Sequence, residues 1–154
     1  MAYIHENKDR PADRGCVFCG LLAGEDADDE RILRRDEHAF VTLAKYPYNP
    51  GHLLVLPTRH ASELEALSAE EHTGIATLLT RSVRALREAA EPHGFNIGLN
   101  LGAVAGAGIP EHLHWHVVPR WGGDTNFMPV IGQTRVLPEL LSESYDKLMP
   151  RFLD

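Results

Sequence analysis

The stretch HLHWHVVPRW, residues 112–121, carries three histidines two positions apart, each followed by an apolar residue. Alternate residues of a β-strand point to the same face of a sheet. The spacing therefore predicts a strand over residues 112–120 with all three histidines on one face. Leu113, Trp115 and Val117 would then face the other way, into a hydrophobic core. The stretch predicts a sheet that has one chemically active face.

Strand geometry limits what the three histidines can do together. Neighbouring rings, His112 with His114 and His114 with His116, would lie about 6.6 Å apart along the strand, and the outer two about 13 Å apart. Because zinc–nitrogen bonds are only about 2.0–2.1 Å long, three such rings would not readily share one ion. One neutral imidazole can act as a nucleophile near pH 7 while another donates to an anionic oxygen. The row predicts a division of labour, in preference to three unrelated surface or core residues.

A glycine-rich loop, GAVAGAG at residues 102–108, directly precedes the histidine stretch. Glycine adds no side-chain bulk, so such a loop can bring backbone N–H groups close to phosphate oxygens. Together with the histidines, the loop indicates attack by a histidine on phosphorus, with the loop holding the charge.

Other parts of the chain alternate between strand and helix patterns. A long helix is predicted from the capping-box pair Ser68 and Glu71 up to residues 93–94, and a last helix is predicted from near Pro138. Helices interleaved among hairpins favour an α+β fold with an antiparallel sheet. Further strands are predicted at residues 38–44, 52–57, 95–100 and 127–132. The apolar sides expected for the two helices are Ile75, Leu78, Leu79, Ala85, Leu86 and Ala89, and Leu140, Leu141, Leu148, Met149 and Phe152.

Composition and charge exclude several classes of protein. The 154 residues are 44% hydrophobic and 24% charged, which suits one soluble globular domain. A net charge of −7 argues against a general nucleic-acid surface, which needs a basic face. The polar arm at residues 1–14 lacks the apolar core of a signal peptide, and no later run could span a bilayer. We expect a cytoplasmic protein, with one domain at 15–154 and neither nucleic acid nor membrane as a partner.

The histidine stretch and three other motifs resemble one known family. HLHWHVV resembles the signature of the histidine triad (HIT) family of nucleotide hydrolases and transferases. NPGHLLVLPTRH (49–60) is similar to its Pro-Gly-His strand, and CVFC (16–19) resembles its N-terminal metal pair. VVPRWGGDTNFMPV (117–130) resembles the diadenosine-tetraphosphate phosphorylase (ATP adenylyltransferase) branch. The resemblance spans roughly residues 15 to 135, leaves 121–154 as a C-terminal extension, and implies a HIT-like fold. In that fold a five-stranded antiparallel sheet packs with one long and one C-terminal helix, and a homodimer joins two sheets into a ten-stranded one.

The resemblance also implies a role for each matching residue. His114 would attack the α-phosphorus to form a nucleotidyl-imidazole intermediate. His116 would donate to a non-bridging or leaving phosphate oxygen, and His52 would help to orient the triad. The substrate-binding residues implied are Asn100, Gly106, Gly108, His52 and His116.

The first histidine of the row is implied to bind metal with three other residues. The set would be Cys16, Cys19, His60 and His112, whose Cys2His2 chemistry suits tetrahedral zinc. Four protein ligands imply a closed, structural zinc site with no position for a catalytic water. A redox-active CxxC pair and two unligated thiols are the alternatives, and neither explains His60 and His112 together.

The expected reaction is cleavage of adenine (di)nucleotide polyphosphates, or related nucleoside phosphate derivatives, at the α-phosphate. Water as the acceptor would make the protein a hydrolase, and inorganic phosphate would make it a phosphorylase or, in reverse, an adenylyltransferase. The alternative from another class is a nucleotide-binding adaptor with little turnover. One position departs from the family pattern: Ala44 stands where an Asn or Asp usually grips the ribose. Lys45 and Asn49 are the candidates to replace it.

Overall fold

A single antiparallel sheet organises the protein. The computed structural model describes residues 15–25, 30–124 and 139–153. The strand order is β1-β2-β3-β5-β4, and every neighbouring pair is antiparallel. This confirms the α+β class and the predicted five-stranded sheet. The strands are β1 (Ile32–Arg35), β2 (Ala39–Leu43), β3 (Leu53–Pro57), β4 (Gly94–Leu99) and β5 (Trp115–Arg120).

In the described part of the chain three helices accompany the sheet, and the longest begins where the sequence predicts. Ser68 Oγ accepts from the Glu71 N–H at 3.2 Å, and Glu71 accepts from the Ser68 N–H at 2.8 Å, so the capping box is present. Arg59 adds a 2.8 Å ion pair that helps to lower the pKa of Glu71 to about 2. Within the described ranges, no helix is long and apolar enough to cross a membrane. The helices are α1 (Val17–Ala23), α2 (Ala69–Ala90) and α3 (Leu141–Leu148).

The two faces of the sheet bury different clusters. On the α2 face, Leu113 and Val117 are buried as the alternation predicts, and Trp115 is partly buried beside them. The predicted apolar side of α2 packs there too, and burying each large aliphatic side chain contributes about 1.5–3 kcal/mol. The opposite face carries the histidines and a smaller cluster under α1. That cluster consists of Phe18, Leu21, Phe40, Ala44, Leu54, Leu56 and Ile109.

The histidine strand is shorter than the predicted range of 112–120. It begins at Trp115, which pairs with Val55 of β3. Continuing this register would place residue 113 opposite Pro57, which has no N–H to give to a ladder. The Leu113 N–H instead donates to Ala61 O at 2.7 Å, in the loop after β3. His112, at a bend, and His114 therefore lie on the lead-in to the strand and not within it.

Two other expectations are corrected. Strand β1 was not predicted, because ILRR is a four-residue edge segment with two arginines and little alternation, as is common at sheet edges. Leu140 was expected on the apolar side of the last helix but is 68% exposed, since it precedes α3, whereas Leu148 and Phe152 are buried. The arm at 1–14, the strand predicted at 127–132 and the helix start at Pro138 lie outside the described residues.

Candidate active site and metal centre

The sheet brings His52, His114 and His116 together on one face. His116 on β5 lies directly opposite Leu54 of β3, and residues that pair across strands share a face. His52 is two residues before Leu54 and so falls on that same face. The ring centroids of His52 and His116 are 5.1 Å apart, as are those of His114 and His116. His116 is therefore in contact with both His52 and His114, two other residues expected at the reacting centre.

A backbone carbonyl fixes the proton position on His114. Its Nδ1 lies 2.9 Å from His112 O, which can only accept, so Nδ1–H is the donor. A neutral ring carries one N–H, which leaves the lone pair on Nε2. Burial lowers the pKa of His114, whose residue is only 2% exposed, so the neutral form persists at pH 7. His114 therefore has an unprotonated Nε2 suited to nucleophilic attack.

A chain of hydrogen bonds places the proton of His116 on Nε2, whereas that of His114 is on Nδ1. The Tyr48 backbone N–H donates to His52 Nδ1 at 3.0 Å, so neutral His52 carries its proton on Nε2. That Nε2–H donates to His116 Nδ1 at 3.0 Å. The proton of neutral His116 is thereby placed on its Nε2. Burial, with a smaller contribution from His114, lowers the pKa of His116 to about 4.

The predicted metal ligands form a second cluster beside the first. Ligand atoms of Cys16, Cys19, His60 and His112 all lie within 4.8 Å of one another. Cys16 Sγ is 3.4 Å from His112 Nδ1, Cys19 Sγ is 3.4 Å from His60 Nδ1, and Cys19 Sγ is 3.7 Å from His112 Nδ1. A tetrahedral zinc with normal bond lengths would separate sulfur from nitrogen by about 3.6 Å. The donor set and its spacing therefore fit zinc.

Protonation in this cluster also suits a cation. The His112 Nε2–H donates to Pro57 O at 3.0 Å, which leaves Nδ1 with its lone pair turned toward the cysteines. Such a bond to the far nitrogen is typical of histidines that ligate metals. Burial, and then the neighbouring Cys16, raises the pKa of the Cys19 thiol to about 11. Two thiolates side by side would need a cation to stabilise them.

Phe18 links the two clusters and was not assigned this place from the sequence. It lies within the CVFC motif on α1, and its ring is 5.6 Å from the His112 ring and 5.3 Å from the His114 ring. Phe18 is 4% exposed. Phe18 belongs to the buried cluster under α1, and it also contacts His114, the candidate nucleophile. The signal available in the sequence was the position of Phe18 between the two cysteines of the CVFC motif.

The glycine-rich loop places Asn100 and Gly106 together. A Cβ built on Gly106 would lie 3.7 Å from Asn100 Nδ2, and Gly106 has φ +94°, a conformation that favours glycine. The Gly106 N–H donates to Ala103 O at 3.0 Å within a short 3-10 turn (Ala103–Ala105). An anion at this amide would have to compete with that turn bond. Gly108 lies in the same loop, three residues after the turn.

Asn49, one of the two candidates for ribose recognition, is used differently. Its Nδ2 donates to Pro119 O at 2.9 Å and to Asp124 Oδ2 at 2.9 Å. This amide therefore joins two parts of the fold. Lys45 lies over the Tyr46 ring, with Nζ 6.0 Å from the ring centroid. Tyr48, which sequence reasoning did not single out, covers the site, with its ring stacked 5.7 Å from that of His116 at 16°.

Comparisons with known proteins show which proteins this chain resembles. The chain is 47% identical over 113 residues to AP-4-A phosphorylase of Mycobacterium tuberculosis, a match that covers 73% of this chain and 58% of that protein. It therefore spans a little under three fifths of that relative's length. It is 30% identical over 105 residues to adenosine 5'-monophosphoramidase of Schizosaccharomyces pombe, covering 68% of this chain and 74% of that one.

A solved structure and a family model extend the comparison. A Zn-bound histidine triad family protein of Mycobacterium smegmatis matches with a TM-score of 0.72 and 31% identity, covering 90% of this chain and 93% of that one. The model of the HIT domain matches residues 25–123, which hold all five strands and the whole histidine row. On the sheet, the histidine cluster and this match, the chain belongs to the HIT domain family.

Proposed function

We propose that the protein transfers a nucleotidyl group through His114. The substrates would be adenine dinucleotide polyphosphates or related nucleoside phosphate derivatives, cleaved at the α-phosphate. The observation that carries this proposal is the 2.9 Å bond from His114 Nδ1–H to His112 O, because it leaves Nε2 unprotonated and free of the metal cluster. The names of the two relatives, a phosphorylase and a monophosphoramidase of adenine nucleotides, support the substrate class.

In the first step His114 Nε2 attacks the α-phosphorus. An N–P bond forms, the bond from phosphorus to the leaving group breaks, and the leaving atom takes the bonding electron pair. His116 Nε2–H donates to a non-bridging oxygen or to the leaving atom as charge develops there. The opposite protonation of the two rings suits these opposite roles. Asn100 and the loop carrying Gly106 and Gly108 would contact the phosphates. At Gly106 a phosphate oxygen would have to compete with Ala103 O for the backbone N–H.

In the second step an acceptor oxygen attacks the same phosphorus and the N–P bond breaks, which returns His114 to its starting form. Water would give the nucleoside monophosphate, and inorganic phosphate would give the diphosphate. Two displacements let the leaving group and the acceptor use one pocket in turn. We propose phosphorolysis as the specific reaction, since the relative that is 47% identical bears the name phosphorylase.

Cys16, Cys19, His60 and His112 would hold a structural zinc. With four protein ligands, the ion would supply a cross-link between α1, the loop after β3 and the lead-in to β5, and no reacting oxygen. The position of His114 supports our proposal of a structural role for the zinc. Its Nδ1 contacts the carbonyl oxygen of His112 and not the two cysteines.

We further propose a homodimer formed along strand β4. Among the described strands, β4 lies at one end of the sheet order, and an edge strand can offer backbone groups to a second chain. Ile97 on β4 and Leu101 just after it are each 48% exposed, which is unusual for large apolar side chains. A monomer in light-scattering measurements at micromolar concentration would exclude this assembly.

Turnover of diadenosine tetraphosphate, with and without inorganic phosphate, tests the function. Phosphorolysis yields ADP and ATP only when phosphate is present. Hydrolysis yields ATP and AMP without it. Binding of the nucleotide with no turnover under either condition would favour the adaptor and contradict the proposal.

A further inference from the structure

The turn that orients His52 is tied to the end of strand β5 by Asn49. The turn spans KYPYNPG, residues 45–51, and its base is closed by His52 N–H donating to Asn49 O at 3.1 Å. The Asn49 side-chain amide reaches across to Pro119 O and to Asp124 Oδ2, each at 2.9 Å. One residue therefore joins the turn to both the last strand and the segment that follows it.

Asp124 is well suited to hold this tie. Its carboxylate accepts from Arg120 Nε at 2.6 Å, from Arg120 Nη2 at 2.7 Å and from Trp121 N–H at 3.2 Å, as well as from Asn49. The Asp124 side chain is only 13% exposed, so the charge needs this set of donors. These two bonds from Arg120 do not involve Asn96, whose Oδ1 accepts from Arg120 Nη1 at 2.7 Å in a separate, exposed contact. The acceptor that meets Asn49 is therefore held rigidly.

The tie lies one residue from the amide that decides the protonation of His116. The Tyr48 N–H donates to His52 Nδ1, which leaves His52 Nε2–H to donate to His116 Nδ1. A shift of the turn would move this amide away and let His52 rotate or carry its proton on the other nitrogen. The Tyr48 ring, centred 4.8 Å from the His52 ring, would move with it.

We propose that Asn49 and Asp124 are positioning residues that hold the Tyr48 amide on His52 and so keep the reactive proton of His116 on Nε2. Neither residue touches the reacting atoms. The inference rests on the proposed function for the catalytic meaning of that proton, but the proton itself can be observed without turnover.

Nuclear magnetic resonance of histidine-labelled protein at pH 7 tests the inference directly. In the parent, the His52 Nε2 proton should be visible and slow to exchange with water because it is hydrogen bonded. Asn49→Leu keeps the size of the side chain and removes its donor, and should speed that exchange by about tenfold or more. Asn96→Leu is the matched control, because it makes the same substitution at a second asparagine near the end of β5 and removes only the exposed bond from Arg120 Nη1. It leaves both Arg120 bonds to Asp124 and both Asn49 bonds in place, so it should exchange like the parent.

Kinetics supply a second measurement in the same variants. Asn49→Leu should lower kcat by about ten- to a hundredfold with KM nearly unchanged, since orientation and not binding is lost. If Asn49→Leu does not fold, Asp124→Asn serves instead, with a smaller effect in the same direction.

Equal exchange of the His52 proton in Asn49→Leu and the parent would overturn the inference, whatever the turnover. The same holds if Asn96→Leu speeds exchange as much as Asn49→Leu does. If the parent itself turned over no nucleotide, the proposed function would fall, and the exchange comparison would still decide the role of Asn49.

Discussion

The two ends of the histidine row have different surroundings, and this difference separates the proposed metal ligand from a proposed catalytic group. His112 turns Nδ1 toward two cysteines while its Nε2–H is held by Pro57 O. His116, four residues later, turns Nδ1 toward the Nε2–H of His52. Both rings are neutral because burial lowers the pKa of each. What differs is the partner at Nδ1: thiols at one end and an imidazole donor at the other.

His114 lies between these regions, and we propose that it belongs to the catalytic one. Its Nδ1 is occupied by a backbone carbonyl, so only Nε2 remains reactive. The comparison teaches that residue type and spacing alone do not determine the role of a histidine. The partner on the far nitrogen decides which lone pair is available and to what.

The largest effect is expected when the catalytic region loses its nucleophile. His114→Asn removes Nε2 yet keeps an amide that can donate to His112 O, so the fold should persist. We expect kcat to fall by about 10⁴-fold or more, while zinc content and melting temperature stay at the parental values. Turnover assays with metal analysis check this. His72→Asn, at an exposed position on α2, is the control. If kcat of His114→Asn stayed within tenfold of the parental value, His114 would not be the nucleophile.

Loss of the metal region should act on stability. In Cys16→Ser the cluster loses a ligand and its cross-link to α1, and the melting temperature should fall by about 10 °C. The remaining protein should still form the nucleotidyl intermediate at 20 °C. Scanning calorimetry with and without a chelator measures this, because the chelator should lower the melting temperature of the parent and leave that of Cys16→Ser unchanged. If a chelator prevented the folded protein from forming the nucleotidyl intermediate, the metal region and the catalytic region would not be separate.

His60→Ala should show the same separation on a smaller scale, since His60 is the exposed member of the cluster. We expect a drop in melting temperature of about 3–6 °C, with kcat changed less than twofold. The matched control is His72→Ala, which removes an exposed histidine remote from the cluster. Identical melting curves for His60→Ala and the parent would contradict the structural zinc site.

The smallest expected effect is a pH dependence of stability from buried, neutral His116. Its pKa is about 4 in the folded chain and about 6.5 when unfolded. Between these values the unfolded chain binds more protons, so stability is full above pH 6.5 and falls as the pH drops toward 4. We expect a contribution on the order of 1 kcal/mol from this group. Urea unfolding at pH 7, 5.5 and 4.5 measures this, in the Cys16→Ser background to remove metal effects. The free energy of unfolding should depend less on pH in His116→Gln than in that background. Parallel pH dependences for the two proteins would contradict the prediction.

The sequence predicted the sheet well because its strands carry clear signals. HLLVLP and HAFVTLA alternate or run apolar between turn residues, and strands β3 and β2 lie within them. Likewise Ser68 and Glu71 marked the start of α2 through a local hydrogen-bond pattern. Strand β1 was missed because its pairing with β2, and not its own composition, makes it a strand. The start of β5 was misplaced because Pro57, distant in sequence, ends the ladder.

For the candidate site, the sequence suggested which residues to examine but carried no signal for their protonation. The family resemblance indicated His114, His116 and the four residues of the metal cluster, which the fold brings together as two groups. No local pattern could show that Tyr48 contributes its backbone amide to His52, because that bond depends on the shape of the turn. The same holds for Asn49, whose side chain bonds to residues some seventy positions away.

The most direct test is to trap the covalent intermediate and locate it. The protein is mixed with adenine-labelled diadenosine tetraphosphate, quenched at high pH where a phosphoramidate survives, and digested for peptide mass spectrometry. The account predicts one adenylyl group on the peptide containing 112–120, attached to His114 and absent from His114→Asn. An adenylyl group on His112 or His116, or full turnover with no adenylyl group in rapidly quenched samples, would contradict it.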